Sequence, residues 1–201
     1  MKTLLGSLVV AAECLLAPAA WATTYTIDPD HTAVCFKIRH VFSKVQGTFD
    51  AVEGSFVYVP GHPEQWTANA TIQAASINTR VEKRDTHLRS KDFFDVEHYP
   101  TITFRSTEVT DATPTSANLR GLLTIHGVER PMVLDLEIHG EAKDPWGNQR
   151  SGFTATTTFN RKDFGLNWNK ALETGQLLVG EEVEVTLEVE GVAKPEADTS
   201  R

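Results

Sequence analysis

The stretch EVEVTLEVE, residues 182–190, alternates without a break: Val183, Val185, Leu187 and Val189 fall on one face, and Glu182, Glu184, Glu188 and Glu190 on the other. Successive side chains of a strand point to opposite sides of its sheet, so this is a strand with one apolar and one solvated face. The same period runs outward through the chain. Val34, Phe36 and Ile38 are in phase over a strand expected at 33–39, and His40 continues the phase. Phe56 and Tyr58 share a face over 53–59; Trp66, Ala68, Ala70, Ile72 and Ala74 do so over 66–75. A strand expected over 101–109 carries Phe104. Leu119, Gly121, Leu123 and Ile125 align over 117–126, Met132 to Ile138 alternate over 132–140, and Phe153, Ala155, Thr157 and Phe159 share another face. Strands over 24–27 and 45–50, the latter carrying Phe49 and a Gly47 that permits a bend, complete the set. Asp28-Pro29-Asp30, Pro60 to Pro63, Gly127 and Asp144 to Asn148 punctuate these runs as turns.

At least eight short alternating strands, with neither βαβ alternation nor an internal repeat, predict an all-β barrel or sandwich. An eight-stranded barrel has an interior that side chains fill or that admits one small ligand. Alanine and glycine at inward positions, Ala70 and Gly121 among them, leave space that a solid core would fill, which favours a ligand.

A short helical insert near residues 79–95 interrupts the strands. Thr79 and Glu82 have the spacing of a capping box, and Asp85 and Arg89 that of an i,i+4 ion pair. Val81 and Leu88 give only a narrow apolar line, followed by Phe93 and Phe94, until Pro100 blocks further helix. So little apolar contact predicts that Arg84 to Phe94 opens more easily than the strands and gates the interior. Phe42, after His40, and Phe164 and Trp168 in the irregular 161–180 segment are further candidates to close an opening.

Lys2, the apolar run Leu4 to Leu16 and Ala20-Trp21-Ala22 are expected to form an export signal cleaved after Ala22, which implies a periplasmic address. A single domain over 23–192 and a polar tail over 193–201 follow. Cleavage would remove one base and one acid, leaving the net charge of −8 unchanged. An acidic chain with no basic cluster argues against nucleic acid as a partner. Cys35 would be the one remaining cysteine, so packing rather than a disulfide must supply stability. The seven histidines form no H-x-x-x-H or H-E-x-x-H pair, and no metal site is expected.

The segments YTIDPDHTAVCFKIRHVFSKVQGTF (25–49), RDTHLRSKDFFDVEHYPTITF (84–104), LTIHGVERPMVLDLEIHG (123–140), GFTATTTFNRKDFGLNW (152–168) and VEVTLEVEG (183–191) resemble, in order and spacing, the YceI-like family. The resemblance implies a lipocalin-like antiparallel barrel whose tunnel holds an isoprenoid lipid, such as an isoprenoid quinone (ubiquinone, for example) or a polyprenyl phosphate. It also implies a homodimer and transient contact with a membrane or membrane protein. No other cofactor and no catalytic residue are required. On this reading Phe36, Ile38, His40, Phe42, Phe49, Phe56, Ala70, Ile72, Leu88, Phe93, Phe94 and Phe104 line the tunnel. Gly121, Leu123, Phe153, Phe159, Phe164 and Trp168 line it as well, and Arg84 and Asp85 stand near its opening, where an Arg can donate to a quinone carbonyl or phosphate. The rival reading is an enzyme acting on an isoprenoid or fatty amide in the same pocket. It needs a polar group of perturbed pKa at the tunnel end, with His40, Asp85 and Asp163 as candidates.

Overall fold

The computed structural model describes residues 22–194. The expected signal, except Ala22, and the tail beyond Lys194 lie outside the described residues. The start of the tail is corrected, because the final strand runs to Ala193 and the Lys194 amide donates to the Thr24 carbonyl at 2.9 Å.

In chain order the strands are β1 (Thr23–Ile27), β2 (Ala33–His40), β3 (Ser43–Phe49), β4 (Val52–Tyr58), β5 (Thr67–Gln73), β6 (Ile77–Asn78), β7 (Thr101–Thr110), β8 (Ser116–Ile125), β9 (Val128–Lys143), β10 (Gln149–Asn160) and β11 (Val179–Ala193). They form one antiparallel sheet closed into a barrel. Eleven segments make eight strands, because β1 with β2, β3 with β4, and β5 with β6 are each one strand with a break. β11 closes the ring. One edge pairs with β10 from Asn160↔Glu182 to Arg150↔Val192; the other pairs with β2 through Val183 to Glu188 and with β1 through Gly191 to Ala193.

The breaks have local causes. Between β1 and β2, Asp28 caps a single 3₁₀ turn by accepting from the Asp30 amide at 3.1 Å, and its other carboxylate oxygen contacts His31 Nδ1 at 2.9 Å. Arg150 reaches this corner and binds Asp28 (2.8 Å), Asp144 (3.0 Å) and Glu190. The breaks at 50–51 and 74–76 face each other: the Asp50 amide donates to the Ser76 carbonyl (3.2 Å) and the Ala51 amide to the Ser76 hydroxyl (3.1 Å). β6 has no pairing with β7. Residues 79–100, which carry the α-helix α1 (Glu82–Arg89), fill that gap instead, and the Ala74 amide donates to the Pro100 carbonyl at 2.9 Å.

Packing concentrates in three places, one of them formed by Tyr25, Ile27 and Phe56 beside the first break. Ala117, Leu119, Leu134, Leu136, Ile138 and Ala155 form a buried cluster on the β8–β10 wall, while Ala74, Ile102, Ile125, Phe164 and Leu166 form another beneath the α1 segment. Val183, Val185, Leu187 and Val189 point inward as expected yet are only half-buried, because they face open volume.

The Arg150 corner should make stability sensitive to acid. The Asn148 side chain, together with Arg150 and the amides of Asn148 and Trp146, holds the Asp144 carboxyl at about 2, below its ordinary 3.8. Arg150 likewise lowers Asp28. A carboxyl lowered by folding adds stability that is complete above its ordinary pKa and is lost as pH falls through the folded value. The urea midpoint is therefore expected to fall between about pH 4 and pH 2, and Arg150→Met should flatten that decline. Parallel loss in wild type and variant would mean that other carboxylates govern acid unfolding.

Candidate functional site

The barrel contains a chain of apolar chambers. The largest, about 500 Å³, lies at the end covered by α1 and by residues 161–178. A second, of about 140 Å³, continues deeper, and a small one of about 30 Å³ follows beside Tyr58 and Trp66. Aromatic rings mark the joints. Phe36, Phe49 and Phe159 border both large chambers, with the Phe36 and Phe49 centroids 5.7 Å apart. Phe56 and Phe153, edge to face at 5.2 Å, border the second and third.

Among the three chambers, charged and histidine residues line one end alone. The first chamber is lined by His40, Thr79, Lys83, Arg84, His87 and Arg161 among its apolar residues. The second has no acidic, basic or histidine residue in its lining. Ile38, Leu88, Phe93, Phe94 and Trp168 line the first chamber; Ala70, Ile72, Phe104 and Leu123 line the second.

Three glycines shape the wall. A Cβ at Gly47 would lie 2.4 Å from the Phe36 ring, one at Gly121 2.4 Å from Phe104, and one at Gly191 2.6 Å from Phe56. Each ring sits in the space that a side chain would take, which keeps it against the barrel wall. Gly47 is thus no bend.

Three expected lining residues, and one expected at the opening, are corrected. Gly121 is buried, but the Phe104 ring fills the space above it. Phe164 is 1% exposed and belongs to the cluster under α1, held there by the left-handed Gly165 turn that ends its 3₁₀ helix. Phe42 is 90% exposed, because it stands at the tip of the β2–β3 hairpin, where His40 pairs with Ser43. Asp85 is buried away from the chamber, where it accepts from the Thr79 amide (3.0 Å) and hydroxyl.

That last pair also replaces the expected capping box. Val81 is the N-cap, without a side-chain bond, and Asp85 instead ties the turn before the helix. Arg89 does not pair with Asp85. It donates to the Ala75 (2.8 Å) and Ile77 (2.9 Å) carbonyls and meets Glu82 at 3.3 Å. Arg84 donates to the Thr79 hydroxyl (2.6 Å) and carbonyl (2.8 Å). The helix is therefore fastened by polar bonds that its weak apolar pattern does not reveal. At the opening, His87 lies edge-on to Trp168 (4.8 Å) and Phe93 (5.1 Å), joining the α1 segment to the loop after β10. The three groups an enzyme would need are dispersed. Asp85 serves Thr79, Asp163 is exposed, and His40 lines the first chamber; among the described residues no hydrogen bond links them.

Sequence reasoning missed Arg161. It is 2% exposed, donates through Nε to the Gly180 carbonyl (2.8 Å) and through Nη1 to the Leu166 carbonyl, and borders the first chamber. Its signal was phase: it lies two residues beyond Phe159 on the inward face.

A closed eight-stranded barrel around a largely apolar bore, with charged and histidine residues lining its widest chamber, has the form of barrels that hold one small ligand. The YceI-like domain profile matches residues 25–191, and the chain belongs to the YceI-like family. It is 40% identical over 169 residues to a UPF0312 protein of Pseudomonas savastanoi pv. phaseolicola, covering 83% of this chain and 88% of that one. It is 36% identical over 197 residues to a UPF0312 protein of a Shewanella species, covering 96% and 100%. Among solved structures, a Campylobacter jejuni YCEI protein superposes with a TM-score of 0.67 at 30% identity, covering 78% of this chain and 90% of that one. A polyisoprenoid binding domain from Saccharophagus degradans, implicated in plant cell wall breakdown, shares the fold with a TM-score of 0.65 at 16% identity, covering 85% and 98%.

The glycine–aromatic pairing is testable at Gly47, where the atoms that a Cβ would strike belong to side chains. Gly47→Ala should destabilise by about 1–3 kcal/mol through overpacking. In a Phe36→Leu background the same change should cost much less. Additive effects in the double-mutant cycle would show that the two positions do not share this space.

Proposed function

We propose that this protein is a periplasmic carrier that binds an isoprenoid lipid with its tail in the bore and its polar head at the α1 end. The observation that carries the reading is the gradient along the cavity, from a chamber with basic and histidine residues to one without any. A long apolar tail is stabilised by about 0.8 kcal/mol for each methylene removed from water, whereas a charged head has no partner in the deeper chamber. The polyisoprenoid-binding relative of the same fold supports an isoprenoid as the tail. Sequestration needs no chemical step, and an isoprenoid quinone or a polyprenyl phosphate meets these requirements.

Lipid extraction from the native protein followed by mass spectrometry tests the reading. A copurifying isoprenoid is expected, and removing it should lower the melting temperature, because a ligand at 100 times its Kd adds about 2.7 kcal/mol. Ala70→Leu, which places a larger side chain in the second chamber, should shorten the longest prenyl chain bound. Extraction that returns no lipid, with no prenyl probe raising the melting temperature, would sink the carrier.

Loading would occur at a lipid surface. Phe42 (90% exposed), Val81 and Leu177 are exposed apolar residues at the open end; Val81 lines the first chamber, and the Val41 amide donates to the carbonyl of the chamber residue Leu178 at 3.0 Å. Val41 holds φ of 48°, a conformation a β-branched residue adopts only when its surroundings impose it. Phe42→Ser is expected to reduce cosedimentation with phospholipid vesicles while leaving the melting temperature within a few degrees of wild type. Undiminished cosedimentation would place membrane contact elsewhere.

A further inference from the structure

We propose that Arg161 is the anchor for the lipid's head group and selects an anionic, phosphate- or carboxylate-bearing head over a neutral one. The guanidinium is almost fully enclosed, and two of its nitrogens are committed to the Gly180 and Leu166 carbonyls. The third, Nη2, is buried and has no hydrogen-bond partner among the described residues, while the residue borders the first chamber. Buried polar atoms are nearly always paired, so an orphaned donor beside a ligand cavity marks the place of a missing acceptor.

The charge is as informative as the donor. Both bonds of Arg161 go to neutral backbone carbonyls, and among the described residues no carboxylate pairs with it. The charge of Glu181 favours the guanidinium, but that carboxylate is engaged by Lys162 and by Asn160 at 3.3 Å. A buried cation without a counter-ion is costly, and the enclosure disfavours its charged form. A phosphate or carboxylate oxygen would satisfy Nη2 and neutralise the charge together; a hydroxyl would supply only the acceptor. Arg84 likewise spends its Nε and one terminal nitrogen, both on Thr79, but it is only half-buried and its remaining nitrogen is not a buried orphan among the described residues.

The inference rests on the carrier reading, and the probes separate the two. Geranylgeranyl phosphate and geranylgeraniol share a tail and differ in the head. Delipidated wild-type protein is expected to bind the phosphate at least about tenfold more tightly, as one charge-assisted bond at a buried site implies. Arg161→Lys, which keeps the charge but not the fork, should reduce that preference several-fold, and Arg161→Gln should abolish it, so that the variant binds phosphate and alcohol with equal affinity. Because Arg161 also holds two backbone carbonyls, nitrogen-15 NMR of the arginine side chains in wild type provides the readout without a variant. The Arg161 resonances should shift on adding the phosphate and not on adding the alcohol. Equal affinity for both probes with unshifted Arg161 resonances would overturn the anchor and leave the carrier intact. Binding of neither probe would overturn the carrier itself.

Discussion

A wall that encloses open volume must be held by its own ladders, because inward side chains that face a cavity have fewer neighbours to pack against. Everything else in this barrel depends on that constraint. β11 meets it at the closure by pairing along both edges, with β10 on one side and with β2 and then β1 on the other. Its valines and leucine can therefore stay half-buried without leaving the strand unsupported. Where the ladder is interrupted, at 28–32, 50–51 and 74–76, other bonds take over: Arg150 gathers three carboxylates at the first break, and Ser76 serves the facing pair. The dense clusters stand beside the open chambers and take the packing that the bore cannot provide.

The same constraint explains the aromatic placement. A phenylalanine aimed into a narrow bore would close it. Opposite or beside glycine, the rings of Phe36, Phe104 and Phe56 drop into the wall and present a face rather than a plug. Each glycine therefore acts through the ring next to it, and the volume it vacates does not appear as cavity.

Much of the fold was legible, because strand alternation is a property of single residues and survives without tertiary context. The alternating runs and their inward faces follow from period two alone, whereas the joining of neighbouring runs into eight strands does not. Ser76 and Asp50 gave no sign of the strand breaks, which depend on bonds between neighbours distant in sequence. The site was half legible for the same reason. Apolar residues inside a strand, such as Ile38, Ile72 and Leu123, were placed by phase; Phe42 and Phe164 were not, because phase ends where a hairpin or a 3₁₀ turn begins. Thr79 and Glu82 matched a capping box, yet the buried Asp85 won the Thr79 donors, since a carboxylate inside the fold needs them more than an exposed Glu82 does. Arg161 lay in phase and was overlooked because a charged residue on an inward face contradicts the pattern that located the others.

Most of the polar residues of the first chamber come from two insertions, residues 79–100 between β6 and β7 and the segment following β10, whereas the second chamber is built from strand residues. An insertion can lengthen, shorten or change composition without shifting the register of any ladder, but a change within a strand is felt by both of its neighbours. A substitution at the open end can therefore alter what is recognised there at little mechanical risk, while one in the bore disturbs the wall itself. The depth of the barrel is thus a mechanical part, and its mouth a separable fitting.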